Sequence, residues 1–563
     1  MPPRRRQPAP VALLVSLALA TACGGKPAPV EAYVERHFDT FPTRGLAAGR
    51  FDHAAELERL GPQIRSEWLA YNRTVAGALA VARRELALDP QELMDYELLE
   101  RQARQQVLAF EDDWEPRHRP LFWTSLLSNA TVFLLVRDEA PEAERLAAAA
   151  ARAEQIPRLA ATAREALAAG DPAEIAPEHA ELAARQARAS AGFYRGGFPA
   201  AGGDRAPSER LGAAGATAAQ ALDELAEWLE ELAARAGGDF RLGERYAARF
   251  RVVTGVEEPA AEVARVAERA LAEKRREAAA FGREVWPRWM TGAPPADDAE
   301  LLRRLFDRVA EDRPTSTEEL VADYRRLVHE AIEFAREHEV VTLPDPFRLW
   351  VGRSPPYFLG QSVGGVYGAG PYAPPGARTL LFLPTPPPDA SAAARDALFV
   401  AFNDHFNRMI TPHEVAPGHA LQLAWAARHP RRVRALYGDG VTIEGWGTFV
   451  ERLMLDLGWG DDLDRLAHLK KQLENIARTV VDVRVHTEGW GREEVERLVR
   501  EEALQDPQLA ANMWRRTMTS SPQLTFYFLG YREVWGLYEE ARAAAGDDFS
   551  LRRFTDGMME LGP

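Results

Sequence analysis

The chain has 563 residues, 69 basic against 84 acidic, a formal net charge of −15, 46% hydrophobic residues and a single cysteine. That length buries a large core and suits roughly two to four domains. The acidic balance argues against nucleic acid as a partner, because phosphate binding needs a basic face, and one cysteine rules out intramolecular disulfides and cysteine metal ligands.

The N-terminus reads Arg4-Arg-Arg6, an apolar run from Val11 to Ala20, then Ala20-Thr-Ala-Cys23. A basic stretch, a short apolar stretch and small residues before a cysteine describe a signal peptide over 1–22 with a lipobox, and lipidation at Cys23. Plain secretion is the competing reading. The apolar run is too short for a membrane span. Residues 23–35 then form a tether. Gly24 and Gly25 follow the cysteine with no aspartate after it, which favours the inner leaflet of an outer membrane, facing the periplasm, where the source has two membranes.

From 36 to 339 the chain is dominated by helical patterns rich in Ala, Leu, Glu and Arg. The alanine-rich stretch Ala143–Ala191 suits surface helices of a helical array. Leu222, Leu225, Leu229 and Leu232 recur at helical spacing and mark core. A compositional change near residue 340 opens a second region, 340–563. Up to Pro388 it is rich in Pro, Gly and β-formers, and Val363–Tyr372 with Thr379–Leu383 predicts a small hairpin-like sheet. A substrate-pairing edge strand is expected within Gly364–Leu383. Gly360-Gln-Ser362-Val-Gly364 matches the nucleophile-elbow pattern of serine hydrolases. The glycines and Pro371 that follow it cannot readily form the helix an elbow requires, so the match reads as accidental.

The strongest signal is Thr411-Pro-His-Glu-Val-Ala-Pro-Gly-His419, followed by Ile443-Glu444-Gly-Trp446. Two imidazoles, an adjacent carboxylate and a second carboxylate further on are the inventory of a catalytic zinc site, with His413, His419 and Glu444 as ligands and Glu414 as base. In the usual zinc helix the two histidines stand four apart on one face. Six residues advance about 600° and about 9 Å, too far for two nitrogens about 2.0–2.1 Å from one ion. Pro417-Gly418 is where a bulge would absorb the extra residues. Glu444 alone also fits a helix-start acid. On a helix, Glu444, Thr448, Glu451 and Leu455 share one face, which puts Glu451 behind the ligand.

Arg478, Asp482 and His486 recur every four residues on a predicted packed helix. Asp482 would orient His486, which would donate to an oxyanion. An i,i+4 ion-pair ladder is the alternative. In Ser521–Arg532, Tyr527 is a candidate oxyanion donor and otherwise a core aromatic, while Gln523 or Arg532 would hold a substrate carboxylate.

These motifs resemble the bacterial family gathered as domain of unknown function 885 (DUF885), many of them lipoproteins, with its His-Glu-x-x-Pro-Gly-His and Glu-Gly-Trp signatures. Phe41-Pro-Thr43 with Gly49, Phe240-Arg-Leu-Gly243 with Tyr246, Tyr372 with Pro374-Pro375, Val481-Asp482 with His486, and Pro522-Gln523 with Tyr527 extend the likeness over nearly the whole mature chain. The resemblance implies a mainly α, multi-helical zincin-like fold of gluzincin type with a small β-sheet beside the metal helix. It also raises Tyr527 and Gln523 as site residues, and Tyr372 joins the substrate-binding candidates.

The expected function is a hydrolase of peptide bonds that carries one zinc ion per chain, a carboxypeptidase or oligopeptidase at the cell envelope. A cleft between the N-terminal part and the C-terminal half would restrict its substrates to peptides or unfolded segments. A zinc hydrolase of non-peptide amides or esters, or an inactive ligand-binding lipoprotein, stands as the alternative. Oligomeric state has no signature here.

Overall fold

The computed structural model describes residues 28–202, 207–354, 365–374, 376–386 and 390–563. The chain is mainly helical with one three-stranded sheet. Cys23 and the elbow-like Ser362 lie outside the described residues. Among the described residues, no helix is long and apolar enough to cross a membrane.

The fold divides into two compact units. One comprises Met1–Asp239 with Tyr372–Pro374 and Arg431–Tyr437. The other comprises Phe240–Pro371, Pro375–Pro430 and Gly438–Pro563. Composition changes near residue 340, but the unit that carries the metal motif begins a hundred residues earlier. Helices Ala260–Trp289 and Asp298–Glu311 pack on the helix Asp462–Glu488, with Leu271, Leu301, Leu305, Leu469 and Leu473 in one core. Such a boundary rests on long-range packing and leaves no mark in local composition.

In the N-terminal unit the alanine-rich stretch forms helices Glu142–Ala153, Ile156–Ala168 and Pro177–Arg195. Each has an exposed outer face, as a surface helix should, and a buried inner one. Ala149, Ala153, Ala163, Ala180, Ala183 and Ala191 have no exposed surface, because the small side chain lets helices pack closely while adding little periodic hydrophobic contrast. Leu222, Leu225, Leu229 and Leu232 line the same core on the helix Pro207–Arg235, as their spacing predicts.

In the other unit the sheet has strands β1 (Leu349–Arg353), β2 (Gly365–Tyr367) and β3 (Thr379–Leu383) in the order β1-β3-β2. β3 is buried along its whole length, parallel to β1 and antiparallel to β2. The expected hairpin pairing is thus β2 with β3, and both strands rest on the helix His419–Arg428.

Two further helices, Gly440–Asp456 and Phe526–Ala545, cross where Gly445 meets Gly530. A Cβ at Gly530 would stand 1.9 Å from the Val441 carbonyl oxygen and 2.6 Å from Gly445 Cα. Backbone cannot yield as a flexible side chain does, so Gly530→Ala must force the helices apart. The expected loss is about 3 kcal/mol of stability, read as a fall in the urea midpoint. An unchanged midpoint would show that the crossing is not this tight.

Candidate metal centre

The helix Asp404–Glu414 starts on an Asn403 cap and ends at Glu414; a second helix starts at His419. The expected bulge within one helix is therefore a break between two. Pro417 has no N–H to continue the ladder, and the chain turns through Val415–Gly418 before Gln422 N–H bonds back to the Gly418 carbonyl at 3.0 Å. Gly418 is required by space: a Cβ there would meet the carbonyl oxygens of His413 at 1.9 Å and Pro412 at 2.3 Å. Trp446 Nε1 donates to the Pro417 carbonyl at 2.7 Å and fixes the turn. His413 thus closes one helix, His419 opens the next, and their rings stand 4.5 Å apart at 80°.

The helix Gly440–Asp456, capped by Asp439, brings Glu444 to both rings. Glu444 Oε2 lies 3.6 Å from His413 Nε2 and 3.6 Å from His419 Nε2. Ligands about 2.1 Å from a tetrahedral ion stand about 3.4 Å apart, so Glu444 already has nearly the spacing from each histidine that zinc imposes. They form a group able to hold one metal ion. The donor chemistry also fits, with two imidazole nitrogens and one carboxylate. Next to Glu444, Gly447 makes room for the first ligand, since a Cβ there would stand 2.7 Å from His413 Cε1.

The outer nitrogen of each histidine is held. His413 Nδ1 donates to Glu451 Oε1 at 2.7 Å, and His419 Nδ1 donates to Gln422 Oε1 at 3.1 Å. Carboxylate and amide oxygens only accept, so these bonds leave the Nε2 lone pairs facing Glu444. Glu451 is fully buried and its second oxygen accepts from His468 Nδ1 at 3.2 Å. Burial pushes His413 toward neutrality, but Glu444 and Glu451 outweigh it and raise its pKa to about 10. Burial likewise opposes ionisation of Glu444 and Glu451. The imidazoles beside them prevail, taking Glu444 well below the usual carboxylate range and Glu451 to about 2. The His413 nitrogen that holds a proton firmly and the Glu444 oxygen that stays ionised beside it are the atoms a divalent cation would take.

The carboxylate of Glu414, partly buried at the end of its helix, makes no hydrogen bond to any described residue. Its charge reaches the buried Tyr324 phenol, which burial first and Glu414 second push above its ordinary range. Tyr527 also comes to the cluster. Burial and then the Glu444 charge raise its pKa, opposed by Arg478 and Arg516. Arg478 lies 4.5 Å from the Tyr527 ring centre and pairs with Glu474.

Three expected site residues are engaged away from the cluster. His486 is eighteen residues beyond His468 on the same helix, about 27 Å along its axis. Its Nδ1 accepts from Leu242 N–H at 3.2 Å, its Nε2 donates to the Thr517 carbonyl at 3.0 Å, and its ring stacks on Tyr246. The predicted polar face looks inward because this helix is enclosed on all sides. Asp482 does not orient His486. Its Oδ2 accepts from Tyr246 Oη at 2.8 Å and Ser521 Oγ at 3.1 Å. Arg532 donates to Glu258 at 2.9 Å. Tyr372 belongs to the N-terminal unit, with Arg432 4.2 Å from its ring centre. Gln523 accepts from Arg516 Nη2 at 2.9 Å.

Sequence reasoning missed His468, Gln422 and Arg516. Gln422 was the most accessible, since it stands three residues after His419 on one helix. His468 and Arg516 have no local signal. His405, Asp461 and Asp464 form a second group with metal-ligand spacing. Its atoms are already engaged: His405 contacts Asp464 at 2.8 Å and Asp312 at 3.1 Å, and Asp461 and Asp464 cap their helix.

A family model for bacterial proteins of unknown function, DUF885, matches residues 42–563, and the chain belongs to that family. Its fold is shared with two solved structures. A candidate lipoprotein of unknown function from Shewanella oneidensis matches at 24% identity and TM-score 0.75, over 94% of this chain and 96% of that one. A candidate lipoprotein from Colwellia psychrerythraea matches at 17% identity and TM-score 0.73, over 94% of each chain. No curated protein matches the chain.

Asp482 yields a pH prediction. Burial raises its pKa to about 7 against the pull of the Tyr246 and Ser521 hydroxyls, and its Oδ1 has no partner. An unfolded aspartate titrates near about 3.9. Between those values the folded state keeps a proton that the unfolded state has lost, so this contribution is full below about pH 4 and is lost as pH rises through about 7. Asp482→Asn mimics the protonated acid. Its stability gain over wild type should grow from pH 4 to pH 8, reaching on the order of 3 kcal/mol in denaturation midpoints. A gain that does not change with pH would refute this.

Proposed function

We propose that the protein is a zinc-dependent metallopeptidase of gluzincin-like type that cleaves peptides at the cell envelope. The observation that carries the reading is the convergence of Glu444 Oε2 on His413 Nε2 and His419 Nε2, 3.6 Å from each with all three donors within 4.8 Å, beside the Glu414 carboxylate, which has no hydrogen-bond partner among the described residues. Bound by those three residues, zinc supplies Lewis acidity that makes a water nucleophilic near neutral pH and polarises a carbonyl.

The chain's own groups do the rest. Glu451 and Gln422 hold the two imidazoles in the tautomer that offers Nε2. Glu414, adjacent in sequence to His413, takes the proton of the attacking water and delivers it to the leaving amine. Tyr527, on the Glu444 side, offers its phenol to the oxyanion. His486, with both ring nitrogens bound to backbone, has no part in this. A binding protein without catalysis has no need of a free Glu414. The lipobox ending at Cys23, together with the description of both structural relatives as candidate lipoproteins, supports anchoring through that cysteine.

Purified wild type should carry one zinc per chain and release amino acids or short peptides from a peptide mixture. His413→Ala should lose the metal. Glu414→Gln should keep it while activity falls at least about 100-fold. Glu451→Ala should weaken zinc affinity by about 10- to 100-fold. Wild type that binds zinc but turns over no peptide would overturn the peptidase reading.

A further inference from the structure

Arg516 is a partly buried guanidinium that forms no ion pair among the described residues. Its Nη2 donates to the neutral Gln523 Oε1 at 2.9 Å, and the guanidinium also bonds the Tyr527 phenol. Its Cζ lies 6.0 Å from the Tyr527 ring centre, and that ring also faces Arg478 at 4.5 Å. The two arginines differ in state. Arg478 is committed to Glu474, which also binds Lys471 at 3.0 Å, and to Asn475 Oδ1 at 3.2 Å. Arg516 has no carboxylate in ion-pair contact among the described residues, although its charge is felt by Glu474 and Asp482. It therefore presents a positive charge, aimed by an amide, next to the tyrosine that adjoins the zinc ligand Glu444.

An unpaired guanidinium with a fixed fork is the group best matched to a carboxylate, which it can bind through two parallel hydrogen bonds. We propose that Arg516, positioned by Gln523, binds the C-terminal carboxylate of a peptide substrate, so that the enzyme removes residues from the C-terminus. This rests on the metallopeptidase reading and narrows it from peptidase to carboxypeptidase. Arg478 contributes field but not contact, because Glu474 holds it. The carboxylate role expected for Gln523 or Arg532 passes to Arg516: Gln523 serves as its positioning residue, and Arg532 is held by Glu258.

The test uses the full zinc-loaded chain bearing Glu414→Gln, with and without Arg516→Gln, and measures binding by calorimetry. The probes are acetyl-trialanine, its C-terminal amide, and an amidated acetyl-tripeptide ending in glutamate, which separates an α-carboxylate from a side-chain one. The free acid should bind at least about 10-fold more tightly than its amide, and Arg516→Gln should erase that difference while leaving amide binding unchanged. Gln523→Ala should weaken acid binding in the same direction by a smaller factor. Equal affinity for acid and amide, or equal loss of both in Arg516→Gln, overturns the proposal. So does a preference for the glutamate side chain over the terminal carboxylate. Hydrolysis of acid and amide peptides by the Glu414-containing enzyme then separates the two readings. An acid preference in binding without turnover leaves the subsite standing and removes the peptidase. Equal turnover of acid and amide does the reverse.

Discussion

A carboxylate with no exposure to solvent, Glu451, ties together three helices around the candidate metal centre. It stands on the helix that carries Glu444 and accepts one Nδ1–H from His413 at the end of a second helix and another from His468 on a third. A buried charge without such partners would cost several kcal/mol, so all three contacts must form together. The consequence is geometric. Once Glu451 fixes the His413 ring, its Nε2 has a single direction, and Glu444, seven residues before Glu451 on the same helical face, meets it there.

Small residues make that arrangement possible, each for a different reason. Gly418 passes under two carbonyls, Gly447 leaves space for the His413 ring, and Gly445 with Gly530 lets two helices touch backbone to backbone. Trp446 Nε1 closes the set by holding the Pro417 carbonyl. The Glu-Gly-Trp-Gly stretch from 444 to 447 is therefore one device: candidate ligand, close crossing, clamp on the turn, and room for the first histidine.

Much of this was legible in the residues alone. Helix-dominated composition, the β-forming texture after 340, and the face shared by Glu444 and Glu451 all have local causes in periodicity and turn chemistry. The Pro-Gly pair located the break between the two histidines, although a bulge and a full stop read alike in sequence. Illegible were relations set by distant packing. The ladder Arg478-Asp482-His486 has cleft-like spacing, yet its helix is enclosed, so Asp482 answers to Tyr246 and Ser521, and His486 answers to the backbone of Leu242 and Thr517. Arg532 and Arg516 look alike as isolated arginines. Only the partner each meets separates an ion-paired guanidinium from one bonded to neutral groups.

The central claim is that His413, His419 and Glu444, rather than the acidic cluster at His405, hold the ion. Titration of metal-free protein with cobalt(II), followed by visible spectroscopy, tests it most directly. Tetrahedral binding at the proposed centre predicts one cobalt per chain with intense visible absorption, abolished in His419→Ala and retained in His405→Ala. Absorption that survives His419→Ala, or disappears in His405→Ala, would contradict the account.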